Sequence, residues 1–173
     1  KALILGLVEA ASEFLPISST GHLIIVGDFL NFIGSRAETF EIFIQLGAIL
    51  AVVWIYRARL LDVATHLGRD PSARRLVLNL IVAFIPAAVF GLLLHKAITH
   101  YLFNPVTVAA ALVVGGIVIL LVERYARADR VQRIDQMSGK DALLVGIAQC
   151  LALFPGVSRS GATIMGGMLG GLS

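Results

Sequence analysis

The chain has 173 residues, of which 58% are hydrophobic and only 14% charged; a soluble domain of this size carries about a quarter charged residues. With a mean hydropathy of +0.90, this excludes an ordinary soluble domain and points to an integral membrane protein. The net charge of +3 sits in two loops and reads as membrane topology rather than nucleic-acid binding, and a single cysteine, Cys150, excludes an internal disulfide.

In chain order, the first element is an apolar arm, Lys1 to Phe14, broken by Leu15-Pro16 and followed by the hydroxyl cluster Ser18, Ser19 and Thr20. As a helix the arm covers roughly 21 Å, short of a bilayer core of about 30 Å. The hydroxyls can cap a second helix starting near His22. Residues 1–33 therefore predict a re-entrant hairpin with its tip at membrane depth, where irregular backbone is tolerated only if buried in protein or lining a cavity.

Three spanning helices follow, over residues 40–56, 76–94 and 104–122. The first is apolar apart from Glu41 and Gln45, which either line an internal cavity or make packing contacts. The second contains Pro86, and the third has the uncharged run Val106 to Val122. Trp54 and Tyr56 read as an interfacial belt. The Arg57–Arg75 loop holds Arg57, Arg59, Arg69, Arg74 and Arg75, and the Glu123–Asp141 loop holds Arg124, Arg127, Arg130, Arg133 and Lys140. These loops are expected on the cytoplasmic side, with Gly34–Thr39 and His95–Asn104 facing outward. His66, His95 and His100 sit at loops or segment ends and carry no site reading.

A second polar cluster, FPGVSRSGAT, lies 140 residues after the first. Shifting the sequence by 140 lays KALILGLVEAASEFLPISSTG over DALLVGIAQCLALFPGVSRSG without a gap. Ala2, Leu3, Gly6, Phe14, Ser18 and Gly21 meet identical residues, and Glu9 meets Gln149. Three crossings separate the copies, so the second enters from the opposite face. The fold expected is an all-α polytopic membrane protein with inverted-topology repeats and two re-entrant helical hairpins, the second running from residue 141 to beyond 173. The chain lacks an initiator Met and stops inside an apolar segment, so it reads as a piece lacking C-terminal helices. The glycines of MGGMLGGL read as close-packing residues.

Two tips meeting from opposite faces direct two helix N-termini at one place. Ser18, Ser19, Thr20, Ser158, Ser160 and Thr163 add hydroxyls, and Arg159 adds a guanidinium fork that suits phosphate oxygens. This is a cradle for an oxygen-rich anion. Glu9 and Glu13 share one helix face, and two like charges in an apolar segment call for a cation or proton between them. Mg²⁺, which takes one or two carboxylates plus substrate phosphate oxygens, fits that need. His22 is a candidate general acid or base.

GLVEAASEFLPISSTGH and FPGVSRSGAT, with TFEIFIQLGAILAVV and NPVTVAAALVVGG between them, resemble the bacterial undecaprenyl-diphosphate phosphatases, the bacitracin-resistance membrane phosphatases. The resemblance implies a multi-pass inner-membrane enzyme, its site open to the outer face, that hydrolyses the C55 diphosphate to the monophosphate and recycles the carrier lipid for peptidoglycan synthesis. It implies functional roles for Glu9, Glu13, Ser19, His22, Arg159 and Thr163 and a divalent metal, read here as Mg²⁺ or Ca²⁺ on Glu9 and Glu13, while the two polar clusters supply Ser18, Thr20, Gly156, Ser158, Ser160 and Thr163 as candidate substrate contacts. Its partners are a polyprenyl diphosphate lipid and the bilayer, with a homodimer an open assembly state. Ser19 or a metal-bound water serves as nucleophile. The competing class is a transporter or flippase for polyprenyl phosphate lipids, since inverted repeats and broken helices suit both.

Overall fold

The computed structural model describes residues 1–102, 104–125, 131 and 134–172, and among these it is all-α apart from one isolated bridge between Val131 and Leu172. Eight helices run in order: α1 (Ala2–Ser12), α2 (Ser19–Phe29), α3 (Ser35–Ile55), α4 (Arg57–His66), α5 (Pro71–Leu102), α6 (Pro105–Tyr125), α7 (Gly139–Gln149) and α8 (Arg159–Leu169). Two 3₁₀ turns, Ile134–Gln136 and Cys150–Leu153, flank α7.

α5 and α6 are each long and apolar enough to cross a bilayer, and α3 with α4, bent by 68° between them, forms a third candidate span. Only 6% and 11% of the apolar windows of α5 and α6 are buried within the described residues. The molecule is a polytopic helical membrane protein.

The capping chemistry explains where the helices depart from the hydropathy-based segments. α5 begins at Pro71, ahead of Leu76, because Asp70 caps it: its carboxylate accepts from Ser72 N at 2.9 Å and Ala73 N at 3.3 Å, and proline is favoured at the first helical position. No glycine or proline interrupts residues 92–102, so α5 runs through the expected outer connection from His95. α6 repeats the device, with Asn104 Oδ1 accepting from Thr107 N at 2.9 Å ahead of Pro105. α3 reaches back to Ser35, taking in most of the expected Gly34–Thr39 connection. The first Arg-rich loop contains α4, an exposed helix anchored where the Arg57 guanidinium lies 4.4 Å over the Trp54 ring and donates to Trp54 O at 2.7 Å. In the second such loop, Arg127, Arg130 and Arg133 lie outside the described residues.

The second helices of the two hairpins match in their limits, caps and closures. α2 spans 19–29 and α8 spans 159–169, an offset of 140 at both ends. Ser18 and Ser158 are the N-caps, accepting from Gly21 N at 3.4 Å and Gly161 N at 3.1 Å. At the far ends Phe32 N donates to Gly27 O, and Leu172 N to Gly167 O, both at 2.9 Å. These are matching Schellman closures, each with a positive φ, at Asn31 and Gly171. Each hairpin also returns to its own start: Lys1 Nζ donates to Asn31 O at 3.1 Å, and Val131 N to Gly171 O at 3.0 Å. The end of each hairpin thus lies beside the chain that enters it.

Packing then brings the tips together. α7 lies against α5 so closely that a Cβ on Gly146 would sit 2.5 Å from Ala83 O. α6 contacts both α2 and α8, with Leu112 against Gly21 of the first hairpin and the fully buried Val108 against Gly156 of the second. Asn79 on α5, also buried, donates to Met137 O at 2.9 Å and ties the entry of the second hairpin to that helix.

Candidate active site

Each tip is made by its local sequence. In the first, Pro16 ends the arm and Ser18 adopts φ 60, a sparsely populated conformation for a residue with a side chain and one that clusters at functional sites. In the second, the positive φ falls on Gly156 (φ +94), where a Cβ would lie 2.6 Å from Val108 O. Only glycine fits both that dihedral and that approach to α6. The tips touch directly: Ser160 Oγ donates to Leu15 O at 3.2 Å, and a Cβ on Gly161 would stand 3.2 Å from Pro16 O.

Between them lies a cavity of about 280 Å³. The first hairpin contributes Glu13, Ser18, Ser19 and Thr20. The second contributes Gln149, Ala152 and Val157 with Ser158, Arg159, Ser160 and Thr163, and α3 contributes Gln45. The sequence-predicted residues divide as follows. Glu13, Ser18, Ser19, Thr20, Ser158, Arg159, Ser160 and Thr163 all line this one space. Gly156 does not; it is buried and serves to seat the tip on α6. His22 does not line it either, and its Nδ1 sits 2.8 Å from Ser18 O. Because a carbonyl only accepts, Nδ1 carries the proton in that contact. Glu9 lies behind the wall, 2% exposed.

Within the cavity Ser19 Oγ donates to Glu13 Oε2. A hydroxyl held against a carboxylate is the pairing an activated nucleophile requires. On the opposite wall Arg159 is exposed and, among the described residues, has no ion-pair partner. The hydroxyls of the second tip are engaged with protein: Ser158 Oγ and Ser160 Oγ lie 3.0 Å apart, and Thr163 Oγ1 donates to Arg159 O and Ser160 O at 3.0 Å. Sequence reasoning left out Gln149, Ala152 and Val157. Gln149 carried a signal, since it is the repeat counterpart of Glu9. Gln45, open between cavity and packing, lines the cavity, whereas Glu41 approaches α2 at Gly27.

Among the described residues no three His, Cys, Asp or Glu side chains cluster as a metal site, so an ion here would rest on two carboxylates and on oxygens of its substrate, the habit of Mg²⁺. Glu9 supplies the test of fit. Both its carboxylate oxygens are buried without a hydrogen-bond partner, which is costly unless a positive charge or proton meets them. Glu13 is one turn further along the same arm. The pair carries negative charge that a divalent cation or a proton would balance.

The whole of this geometry falls within a recognised family. Residues 2–173 match the family described as bacitracin resistance protein BacA. The chain is 60% identical over 173 residues to the undecaprenyl-diphosphatase of Ectopseudomonas mendocina (strain ymp) and to that of Nitrosomonas europaea, and 62% identical over 172 residues to that of Laribacter hongkongensis (strain HLHK9). The alignments cover 99–100% of this chain but 63% of each relative, so the chain spans a little under two thirds of their length. It belongs to the bacitracin resistance protein BacA family.

Proposed function

We propose that this chain carries the reacting centre of an undecaprenyl-diphosphate phosphatase, which hydrolyses the C55 diphosphate to the monophosphate and inorganic phosphate. The observation that carries the reading is the Ser19 hydroxyl donating to Glu13 on one wall of a cavity whose other wall holds Arg159, which has no ion-pair partner among the described residues. The printed names of the 60%-identical relatives support the same substrate. The setting is the bacterial inner membrane with the site opening to the outer face, where the released carrier lipid re-enters peptidoglycan synthesis and bacitracin resistance arises.

Arg159 and the start of α8 hold the diphosphate, and Ser19 Oγ attacks the terminal phosphorus. As the Oγ–P bond forms and the bond to the bridging oxygen breaks, Glu13 takes the Ser19 proton and passes it to the leaving lipid phosphate. Glu13 then draws a proton from an incoming water, whose oxygen attacks phosphoserine. Inorganic phosphate leaves, and the proton returns to Ser19. Mg²⁺ or Ca²⁺ on Glu9 and Glu13 would supply charge neutralisation for the phosphate oxygens. His22, bound to Ser18 O, fixes the turn that presents Ser19.

The test is phosphate release from a polyprenyl diphosphate by the full-length protein in detergent with Mg²⁺ or Ca²⁺. Release that is abolished by chelator, by Glu13→Gln and by Arg159→Ala supports the reading. A well-folded protein that releases none refutes it and moves the function to lipid transport, which needs sidedness that detergent removes.

A further inference from the structure

The repeat gives equivalent positions to residues with opposite chemistry. Glu9 corresponds to Gln149, Glu13 to Leu153, Ser19 to Arg159 and His22 to Ala162. In these four pairs every carboxylate and the imidazole belong to the first hairpin. The second hairpin brings no carboxylate to the cavity, only Arg159, Gln149 and hydroxyls. The Ser160 and Thr163 hydroxyl hydrogens already point to Leu15 O and to backbone carbonyls of α8. Among the described residues, the side-chain donors still uncommitted on that wall are Arg159 and the Gln149 amide.

A diphosphate in this cavity spans both walls, since about 280 Å³ is room for roughly nine water-sized atoms. If the terminal phosphorus faces Ser19, the phosphate that remains on the lipid falls on the other wall. We infer that the second hairpin tip is the subsite of this retained phosphate, and that Gln149, a residue with no assigned role, binds it beside Arg159. This rests on the phosphatase reading for the identity of the substrate.

The amide is suited to the position. It donates a hydrogen bond without adding a charge, whereas the glutamate found at the equivalent place in the first hairpin would repel the phosphate as it gains negative charge on bond cleavage. The Glu9/Gln149 difference at one repeat position thus separates a cation-binding half from an anion-binding half.

The experiment measures binding, independently of turnover, to the full-length protein in detergent. A short-chain polyprenyl monophosphate, the retained product, and inorganic phosphate, the departing one, are titrated by calorimetry against parent, Gln149→Leu and the isosteric Gln149→Glu. Loss of one hydrogen bond to a charged group predicts monophosphate affinity about tenfold or more weaker in Gln149→Leu, and weaker again in Gln149→Glu. Inorganic phosphate affinity should stay within about twofold of parent by the same scale. Unchanged monophosphate affinity in both variants overturns the inference, and so does weakening confined to inorganic phosphate, which would place the departing phosphate on this wall. Phosphate release by the parent, assayed separately, reports on the phosphatase reading itself.

Discussion

Gly156→Ala tests whether the seating of the second tip on α6 sets the geometry of the site. The substitution meets two obstacles. The backbone at φ +94 disfavours any side chain by about 1–2 kcal/mol. The new Cβ would also stand 2.6 Å from Val108 O and 2.9 Å from Ala111 Cβ, and overpacking of that kind costs about 1–3 kcal/mol. The sum, about 2–5 kcal/mol, corresponds to a fall of roughly 4–20 °C in the thermal midpoint. Relief requires the tip to move off α6, carrying Arg159, three residues on. A displacement near 1 Å in a positioning group costs on the order of 10²-fold in rate. Gly34→Ala is the control: its φ is +92 but nothing lies within 4 Å of the added atom. It should show only the backbone cost and leave phosphate release unchanged. Midpoints are read by differential scanning fluorimetry in detergent, beside phosphate release. If Gly156→Ala behaves like Gly34→Ala in both assays, the close approach to Val108 does not hold the site and the reasoning is wrong.

Ser19→Ala should lower phosphate release by at least about 10³-fold, the scale on which losing a catalytic unit is felt, and acid-quenched parent should carry phosphoserine at Ser19; full activity in the variant would hand the attack to water. Glu9→Gln should raise the thermal midpoint in chelator, because it removes a buried unpartnered carboxylate. The same variant should lose the stabilisation that divalent cation gives the parent, about 2.7 kcal/mol at a concentration 100 times the Kd; retention of that shift would place the ion elsewhere. Asn79→Leu deletes the hydrogen bond to Met137 O and should cost about 1 kcal/mol of stability with KM unchanged, so a KM shift would show that the tie reaches the cavity.

Much of this protein was legible in its sequence because the deciding signals are local or periodic. Composition alone placed it in a membrane. The 140-residue offset exposed the repeat, and it holds to the residue in the caps at Ser18 and Ser158 and in the closures at Asn31 and Gly171. Such motifs are set by short-range backbone hydrogen bonds, which a sequence pattern encodes directly. Helix limits were less legible from hydropathy because caps, not oiliness, end helices. Asp70-Pro71 and Asn104-Pro105 carried that information and outweighed the apolar boundaries.

Tertiary structure alone decided which side of each polar residue faces the cavity. Glu9 and Gln149 are repeat equivalents, yet one is sealed behind the wall and the other lines it. Ser19 and Thr163 both carry hydroxyls, yet one donates to Glu13 and the other to its own helix backbone. Gly156 matched a substrate-contact pattern and instead permits the approach to Val108. These outcomes depend on how two hairpins, distant in sequence, pack against α6 and against each other. A repeat register states which residues are equivalent, but it does not state the contact between copies that makes them different.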